Sequence, residues 1–363
     1  MNIISVFNNK GGVGKSTLSY HLAHALSELG HKTLMLDMDP QSNLTLQSIA
    51  PEELERMWGE EEPLIDDFSE GLKEVGVEYD EFLLNPRTVH CMLKPIEDGV
   101  IEHFKLGEIY KINENLGLIP GRLSLHTFED KLSKLWSDAY IGQPQALRTI
   151  TSIRELCQLA CEKHGYEYVI VDTSPSLGVL NKIVISMSTG FFVPCMPDMF
   201  SKFGISNIGK ALKSWITQYN TMFNLLPDKK RELFPERLVQ FLGYNIYNAK
   251  PYNGRNPYNL AVAHYEYASR LPDVVNASIP QECKSKDSEV LGSPIGGTAI
   301  MHTHNTYPAM TQKYRVPLWK IPETTRNIPD NSDWQTTVRV NQDRFTETQE
   351  KYHTFARELI ARL

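Results

Sequence analysis

The chain reads as an α/β protein, a doubly wound and mostly parallel sheet with helices on both faces. Three observations predict this. A short apolar strand, Ile3–Phe7, leads straight into a glycine-rich turn and a helix whose apolar residues Leu18, Leu22, Ala25, Leu26 and Leu29 recur at helical spacing until Gly30 stops it. Two later apolar runs, Lys32–Asp39 and Tyr166–Asp172, read as strands that each end in a carboxylate. Strand-like runs alternate with helical patterns over most of the chain.

The turn carries the most chemistry. In Asn8-Asn9-Lys10-Gly11-Gly12-Val13-Gly14-Lys15-Ser16-Thr17, glycines let backbone N–H groups turn inward just before a lysine and two hydroxyls open a helix. That arrangement holds nucleotide phosphates. Lys15 supplies a point charge to the outer phosphates, and Ser16 offers a hydroxyl to Mg²⁺, which prefers oxygen ligands. Thr17 reaches an inner phosphate. The common G-x-x-x-x-G-K-[ST] pattern would put glycine where Asn9 stands. Asparagine tolerates a left-handed backbone better than other non-glycine residues, so the loop is expected to close. Beside it sits Lys10, so two lysines flank the three glycines Gly11, Gly12 and Gly14.

On these residues the segment resembles the deviant Walker-A P-loop ATPases of the ParA/MinD family. Other segments fall in that family's order. Asp37-Met38-Asp39-Pro40-Gln41 gives the D-x-D-P-Q string of the ParA branch, and Tyr166–Asp172 is similar to a Walker-B strand. Asn115–Gly121 resembles the strand and turn before the next long helix. Phe191–Cys195 followed by Met199–Ile205 resembles the later strand and its helix. The resemblance covers roughly residues 1–50, 115–220, 237–280 and 300–322, plus a final helix at Tyr352–Leu363. That helix has Phe355, Leu359 and Ile360 on one face, suited to packing on the core rather than on a membrane.

The resemblance implies a P-loop NTPase fold and a Mg²⁺-dependent ATPase, slow without a partner. Water attacks the γ-phosphate in line, and catalysis is mostly positioning and charge neutralisation. Asn9, Gly11, Gly12, Val13, Gly14, Lys15, Ser16 and Thr17 then bind ATP. Ser16, Asp39 and Asp172 serve the metal, with Asp172 acting through water and Asp39 orienting the attacking water. Lys10 reaches across a dimer interface to the partner's nucleotide, and Gly12 lets the two loops approach. Two ATP molecules are thereby sandwiched in a homodimer that hydrolysis releases. Asp37 either acts directly or is a buried acid paired with a loop lysine. Asn245, at a strand end, and Pro308, in a later loop, are placed near the adenine. ATP is expected over GTP because the guanine-reading N-K-x-D string is missing; Asn181-Lys182 is followed by Ile183-Val184.

Composition narrows the setting. A chain of 363 residues, 41% hydrophobic, suits one large α/β domain or two smaller ones. No apolar run reaches the ~18 residues that span a bilayer. A core strand follows Met1 with no charged leader, so a cytoplasmic location is expected. The five cysteines form no C-x-x-C pair, which argues against the iron–sulfur relatives and for buried free thiols. Net charge is −7, yet residues 51–86 hold thirteen Asp/Glu against only Arg56 and Lys73, a local −11 that leaves +4 for the remainder.

The expected organisation is a single domain over 1–363. It carries an acidic, helical insertion at 51–114, a polar connector at 221–236 and a polar, proline-bearing extension at 323–345 that wraps the surface. No helix-turn-helix pattern precedes the turn. Two uses of this ATPase stay open. One is DNA partition or cargo positioning. The ATP dimer binds DNA without sequence preference through Lys210, Lys213, Lys250 and Arg255, with steep salt dependence, and so associates with the nucleoid. A partner protein, not identified by the sequence, stimulates hydrolysis and releases it. The other is a regulatory switch that engages a protein partner through the acidic insertion, in a positioning, mobile-element or defence complex, without DNA. A membrane-cycling role is disfavoured, because the last helix carries Glu358 between its basic residues.

Overall fold

The computed structural model describes residues 1–249, 252, 254, 256–284, 286–297 and 307–363, so the expectations for Lys250 and Arg255 lie outside the described residues. In chain order the elements are β1 (Asn2–Val6), α1 (Lys15–Glu28), β2 (Thr33–Met38), α2 (Asn43–Ser48), α3 (Pro51–Asp66), α4 (Phe68–Val75), α5 (Tyr79–Phe82) and α6 (Val89–Glu97). They continue with β3 (Tyr110–Asn113), β4 (Leu116–Ile119), α7 (Leu125–Tyr140), α8 (Pro144–His164), β5 (Tyr168–Thr173), α9 (Val179–Met187), β6 (Gly190–Cys195), α10 (Met199–Leu225) and β7 (Gln240–Ile246). Shorter helices follow, and the last helix is Gln342–Ala361.

The strands form one seven-stranded sheet in the order β3-β4-β2-β5-β1-β6-β7. Among the described residues only the edge pair β3–β4 is antiparallel. β2, β5 and β6 are buried at every position, because helices cover both faces; this is why they read as continuous apolar runs. One face packs α1 and the last helix on the sheet through Leu18, Leu22, Ile170, Phe355 and Leu359. The other packs α7, α8 and α9 through Phe128, Leu156 and Ile183 against Leu36 and Val169. From central β1 the chain turns to β2 on one side, while β6 lies on the other. The carboxyl ends of β1, β5 and β2 therefore border the crevice where connections diverge.

Two segments differ from their expected form. The acidic insertion is helical only through α6, around a satellite core of Leu64, Ile65, Phe68, Phe82, Leu83 and Cys91. Its last residues become β3, whose alternating half-buried and exposed positions suit a strand at the sheet edge. The 323–345 segment, expected as a polar surface extension, holds regular structure. A π turn at Trp334–Val338 and a 3-10 turn at Arg339–Asn341 feed directly into the last helix. Trp334, Val338 and Phe345 reach the core, while Ile328, Val340 and most of the segment's polar residues face out. Among the described residues no helix is long and apolar enough to cross a membrane.

Candidate nucleotide site

The turn between β1 and α1 is held by two kinds of constraint. Gly12 and Gly14 have φ of 73° and 78°, left-handed values that glycine adopts without a Cβ penalty. A Cβ on Gly14 would also sit 2.1 Å from Cε1 of Tyr247, so the ring beneath the loop imposes glycine a second time. Asn9 corrects an expectation: it does not have a positive φ. The loop closes through its neighbour instead. Asn8 Nδ2 donates to the Pro194 carbonyl of β6 at 2.7 Å, and Asn8 Oδ1 accepts from Lys10 N at 3.0 Å. Gly204 of α10 leaves room for both asparagine side chains.

A cavity of about 540 Å³ opens at this end of the sheet. Gly11, Gly12, Gly14, Lys15, Ser16 and Thr17 line it together with Asp39, Pro175, Pro308 and Gln312. Pro308 thus lines the same cavity as the glycine turn. Asn245 does not reach the wall: it is fully buried in β7, with neither amide atom hydrogen-bonded among the described residues. Val13 is buried in the core beneath the loop rather than exposed to the cavity. Tyr247, two residues beyond Asn245, is hydrogen-bonded to Thr17 and was not singled out from sequence. Its only signal was its place just past a late strand.

The charges in the crevice are unevenly matched. Lys15 is only 6% exposed; burial lowers its pKa, and the carboxylates of Asp172 and Asp39 partly restore it. Asp37 and Asp172 are both held above the usual carboxylate range, first by burial. Asp37 accepts from Thr45 N at 2.9 Å, Thr45 Oγ1 at 2.6 Å and Asp39 N at 3.2 Å, so it pairs with Thr45 rather than with a loop lysine. Asp172 Oδ1 accepts from Ser19 Oγ at 3.1 Å, and Ser16 also bonds this carboxylate. Asp172 Oδ2 is buried without a partner among the described residues. A hard divalent cation fits here, since it would engage that orphaned oxygen beside the Ser16 hydroxyl. Asp39, nearly buried, turns its own Oδ1 to Gln41 N at 2.9 Å.

Lys10 stands apart from this crevice. It is ion-paired with Asp198, and its ammonium lies 5.2 Å from the Phe200 ring centroid. Asp198 also caps α10 by accepting from Ser201 N at 3.1 Å. Around it Met199, Phe200 and Phe203 are more than half exposed. Lys210 and Lys213 are exposed farther along α10.

The insertion touches the site through the turn after β4. Gly121 N donates to Thr45 Oγ1 at 2.7 Å, and the Gly121 carbonyl accepts from Trp58 Nε1 of α3 at 3.3 Å. Arg122, buried, donates to the Trp58 carbonyl at 2.8 Å and pairs with Glu61 at 3.5 Å.

A family profile described as an AAA domain (AAA_31) matches residues 1–225. An uncharacterized protein of Methanocaldococcus jannaschii is 32% identical over 205 residues, which are 56% of this chain and 62% of that protein. The sporulation initiation inhibitor protein Soj of Bacillus subtilis is 27% identical over 219 residues, 60% of this chain and 68% of Soj. The chain spans about half to two thirds of the length of the first curated relatives it matches. Among solved structures, that of pNOB8 ParA bound to nonspecific DNA superposes with a TM-score of 0.51 at 15% identity, over 99% of this chain and 98% of that one. The glycine turn with its two lysines, the carboxylate-tipped strands and these matches agree, and the chain belongs to the ParA/MinD family of P-loop ATPases.

Proposed function

We propose that this protein is a Mg²⁺-dependent ATPase of ParA type that closes into a dimer around ATP and acts in DNA partition or cargo positioning. The observation that carries this is the division of labour between its two loop lysines. Lys15 is buried inside the phosphate cavity, whereas Lys10 sits on the rim, turned toward α10 and away from the chain's own phosphate site. A lysine so placed is suited to a nucleotide on a second copy. Ser16, and Asp172 through water, would hold Mg²⁺, which would supply positive charge at the phosphates. Asp39 orients the attacking water. Asn9, Gly11, Gly12, Val13, Gly14 and Thr17 shape the phosphate loop. Pro308 borders the base, while Asn245 acts from beneath. Exposed Lys210 and Lys213 contact DNA phosphates; pNOB8 ParA, which shares this fold, is bound to nonspecific DNA in its solved structure. Lys250 and Arg255 extend that contact, and a further protein stimulates hydrolysis. The protein would then act at the nucleoid.

The test is binding to random-sequence duplex DNA at two salt concentrations, with ATP, ADP or no nucleotide, beside Lys213→Glu. The expected result is ATP-dependent binding that weakens steeply with salt and is reduced in the variant. Absence of binding in every state, with ATP hydrolysis intact, favours a switch directed at a protein through the acidic insertion. The Trp58–Gly121 contact already links that insertion to the site.

A further inference from the structure

We infer that Asn181 is a positioning residue that holds the loop after Asp172 in place for ATP hydrolysis; the inference rests on the ATPase reading above. Asn181 lies in the first turn of α9 and is fully buried. Its Nδ2 is 2.9 Å from the carbonyl oxygens of both Ser174 and Ser176, and 3.1 Å from both of their hydroxyls. Carbonyls only accept, so the NH₂ group must face the loop, and its two protons match the two carbonyls. Its Oδ1, on the other side, is buried with no partner among the described residues. A residue chosen only for stability would not carry such an orphan, because a buried acceptor without a donor is costly.

The rest of the loop is fastened to the same post. Ser174 and Ser176 hydroxyls lie 3.0 Å apart, and Ser176 Oγ accepts from Gly178 N at 3.3 Å. Glu129 of α7 accepts from Leu180 N at 3.3 Å, and a Cβ on Gly178 would lie 2.0 Å from that carboxylate oxygen. The post itself is anchored by Lys182, whose ammonium lies 3.5 Å from the Trp136 ring centroid and 3.1 Å from Gln218 Oε1 of α10. Pro175, between the two pinned serines, walls the phosphate cavity. The loop is thus ordered before a nucleotide arrives, so its ordering is not charged to the transition state. Phosphate binding belongs to the separate Gly11–Thr17 loop. Loss of the pin should therefore appear in kcat rather than in binding.

The decisive variant is Asn181→Asp, which keeps the shape but presents an acceptor to two carbonyls. Three quantities are read: kcat and KM for Mg²⁺-ATP, affinity for a fluorescent ATP analogue, and hydrogen–deuterium exchange of residues 173–180 without nucleotide. The expected result is a kcat at least tenfold lower, KM and analogue affinity within twofold of wild type, and faster exchange confined to that segment. Gly178→Ala, which displaces Glu129, should move kcat and exchange in the same direction; it keeps the test open if the aspartate variant does not fold. Wild-type kcat and exchange in both variants overturn the inference. So does a loss that raises KM and leaves kcat alone. A wild-type protein that hydrolyses no ATP overturns the ATPase reading, whereas unchanged exchange beside an active wild type overturns the pin alone.

Discussion

Asp37 and Asp172 stand side by side in register on the neighbouring parallel strands β2 and β5, and both carboxyls are fully buried. Parallel register puts their side chains on one edge of the crevice, where burial raises both pKa values; the charge of Asp39 raises Asp37 further, and those of Asp37 and Asp39 raise Asp172. Lys15 is a buried cation near Asp172, itself weakened by burial. This cluster is poorly compensated in the protein alone and well suited to a cation and a phosphate chain.

The first prediction follows from that imbalance. Asp172→Asn should stabilise the nucleotide-free protein by about 1 kcal/mol, since folding no longer has to bury and protonate a carboxyl that is ionised in the unfolded chain, while Oδ1 still accepts from Ser19. For a chain this long that is about 2 °C in Tm. The same variant should lower Mg²⁺-ATP hydrolysis by at least tenfold. Thermal melts without ligand and steady-state ATPase assays check the pair of effects. A variant that is both less stable and fully active contradicts this assignment of Asp172.

The second prediction concerns Gly14. Alanine there meets a φ of 78° and the Tyr247 ring at once. A left-handed alanine alone costs about 1–2 kcal/mol, and the ring must also move. Gly14→Ala should therefore lose at least 100-fold in ATP affinity. Removing the ring as well, in Gly14→Ala/Tyr247→Ala, should restore only part of it, because φ is unchanged. Calorimetric titration with Mg²⁺-ATP separates the two contributions.

The contrast between Gly14 and Asn9 shows what the sequence exposes. The glycine turn, the carboxylates at strand ends and the parallel core were readable because each follows from local residue chemistry: backbone freedom, a charge after an apolar run, continuous burial of central strands. Asn9 was assigned a left-handed backbone from its own propensity, but Asn8 closes the loop by bonding to Pro194, a residue 186 positions away. Tyr247 under Gly14 and Asp198 against Lys10 are likewise products of tertiary packing. No local pattern announces such partners. The π and 3-10 turns leading into the last helix were hidden by polar composition, since there the core contacts come from Trp334, Val338 and Phe345.

Lys10 and Asp198 give the third prediction. A lysine that serves a nucleotide on a second copy must first leave Asp198. Asp198→Asn keeps a capping side chain for Ser201 N but removes the charge that holds Lys10. The ATP dimer should then form at several-fold lower protein concentration, as read by light scattering after gel filtration. Lys10→Ala should bind ATP and stay monomeric. Dimers of equal affinity in wild type and Asp198→Asn refute the cis restraint.

The fourth prediction is a pH effect one turn past Thr17 in the phosphate loop's helix, at His21. His21 is fully buried; its Nδ1 donates to the Thr17 carbonyl at 2.6 Å and its Nε2 accepts from Leu318 N at 3.2 Å, so the neutral ring is satisfied at both nitrogens. Burial lowers its pKa to about 4. The unfolded chain, with histidine near the ordinary ~6.5, takes up a proton that the folded chain refuses until about pH 4. Stability from neutral His21 is therefore present above about 6.5 and lost as pH falls from there toward 4. Glu61, raised to about 7 by burial, works in the opposite sense over part of this window. So do Asp37 and Asp172, which are also raised. The readout is thus the difference between His21→Gln and wild type. The variant should be less stable at pH 7.5, and the gap should shrink by about 2 kcal/mol by pH 5. A gap independent of pH, in urea titrations at both values, removes the titration of His21 from the account.

The last prediction tests whether the acidic insertion is mechanically tied to the metal-side carboxylates. Thr45 Oγ1 donates to Asp37 Oδ2 and accepts from Gly121 N, while Gly121 O and Arg122 hold Trp58 of α3. Thr45→Val keeps the volume but orphans the buried Gly121 N–H and weakens the Asp37 cradle, at a cost of about 2–4 kcal/mol. Arg122→Met takes from Glu61, fully buried, its paired cation and leaves only the weaker influence of Arg87, and should cost about 3 kcal/mol. Glu61→Gln/Arg122→Met should recover much of that stability, because no buried charge then stands alone. If the linkage reaches the site, ATP hydrolysis in the stable double variant should still differ from wild type several-fold, since Trp58 has lost its Arg122 anchor. Wild-type hydrolysis in the double variant, with stability restored, would show that the insertion and the phosphate site share a boundary without a functional connection.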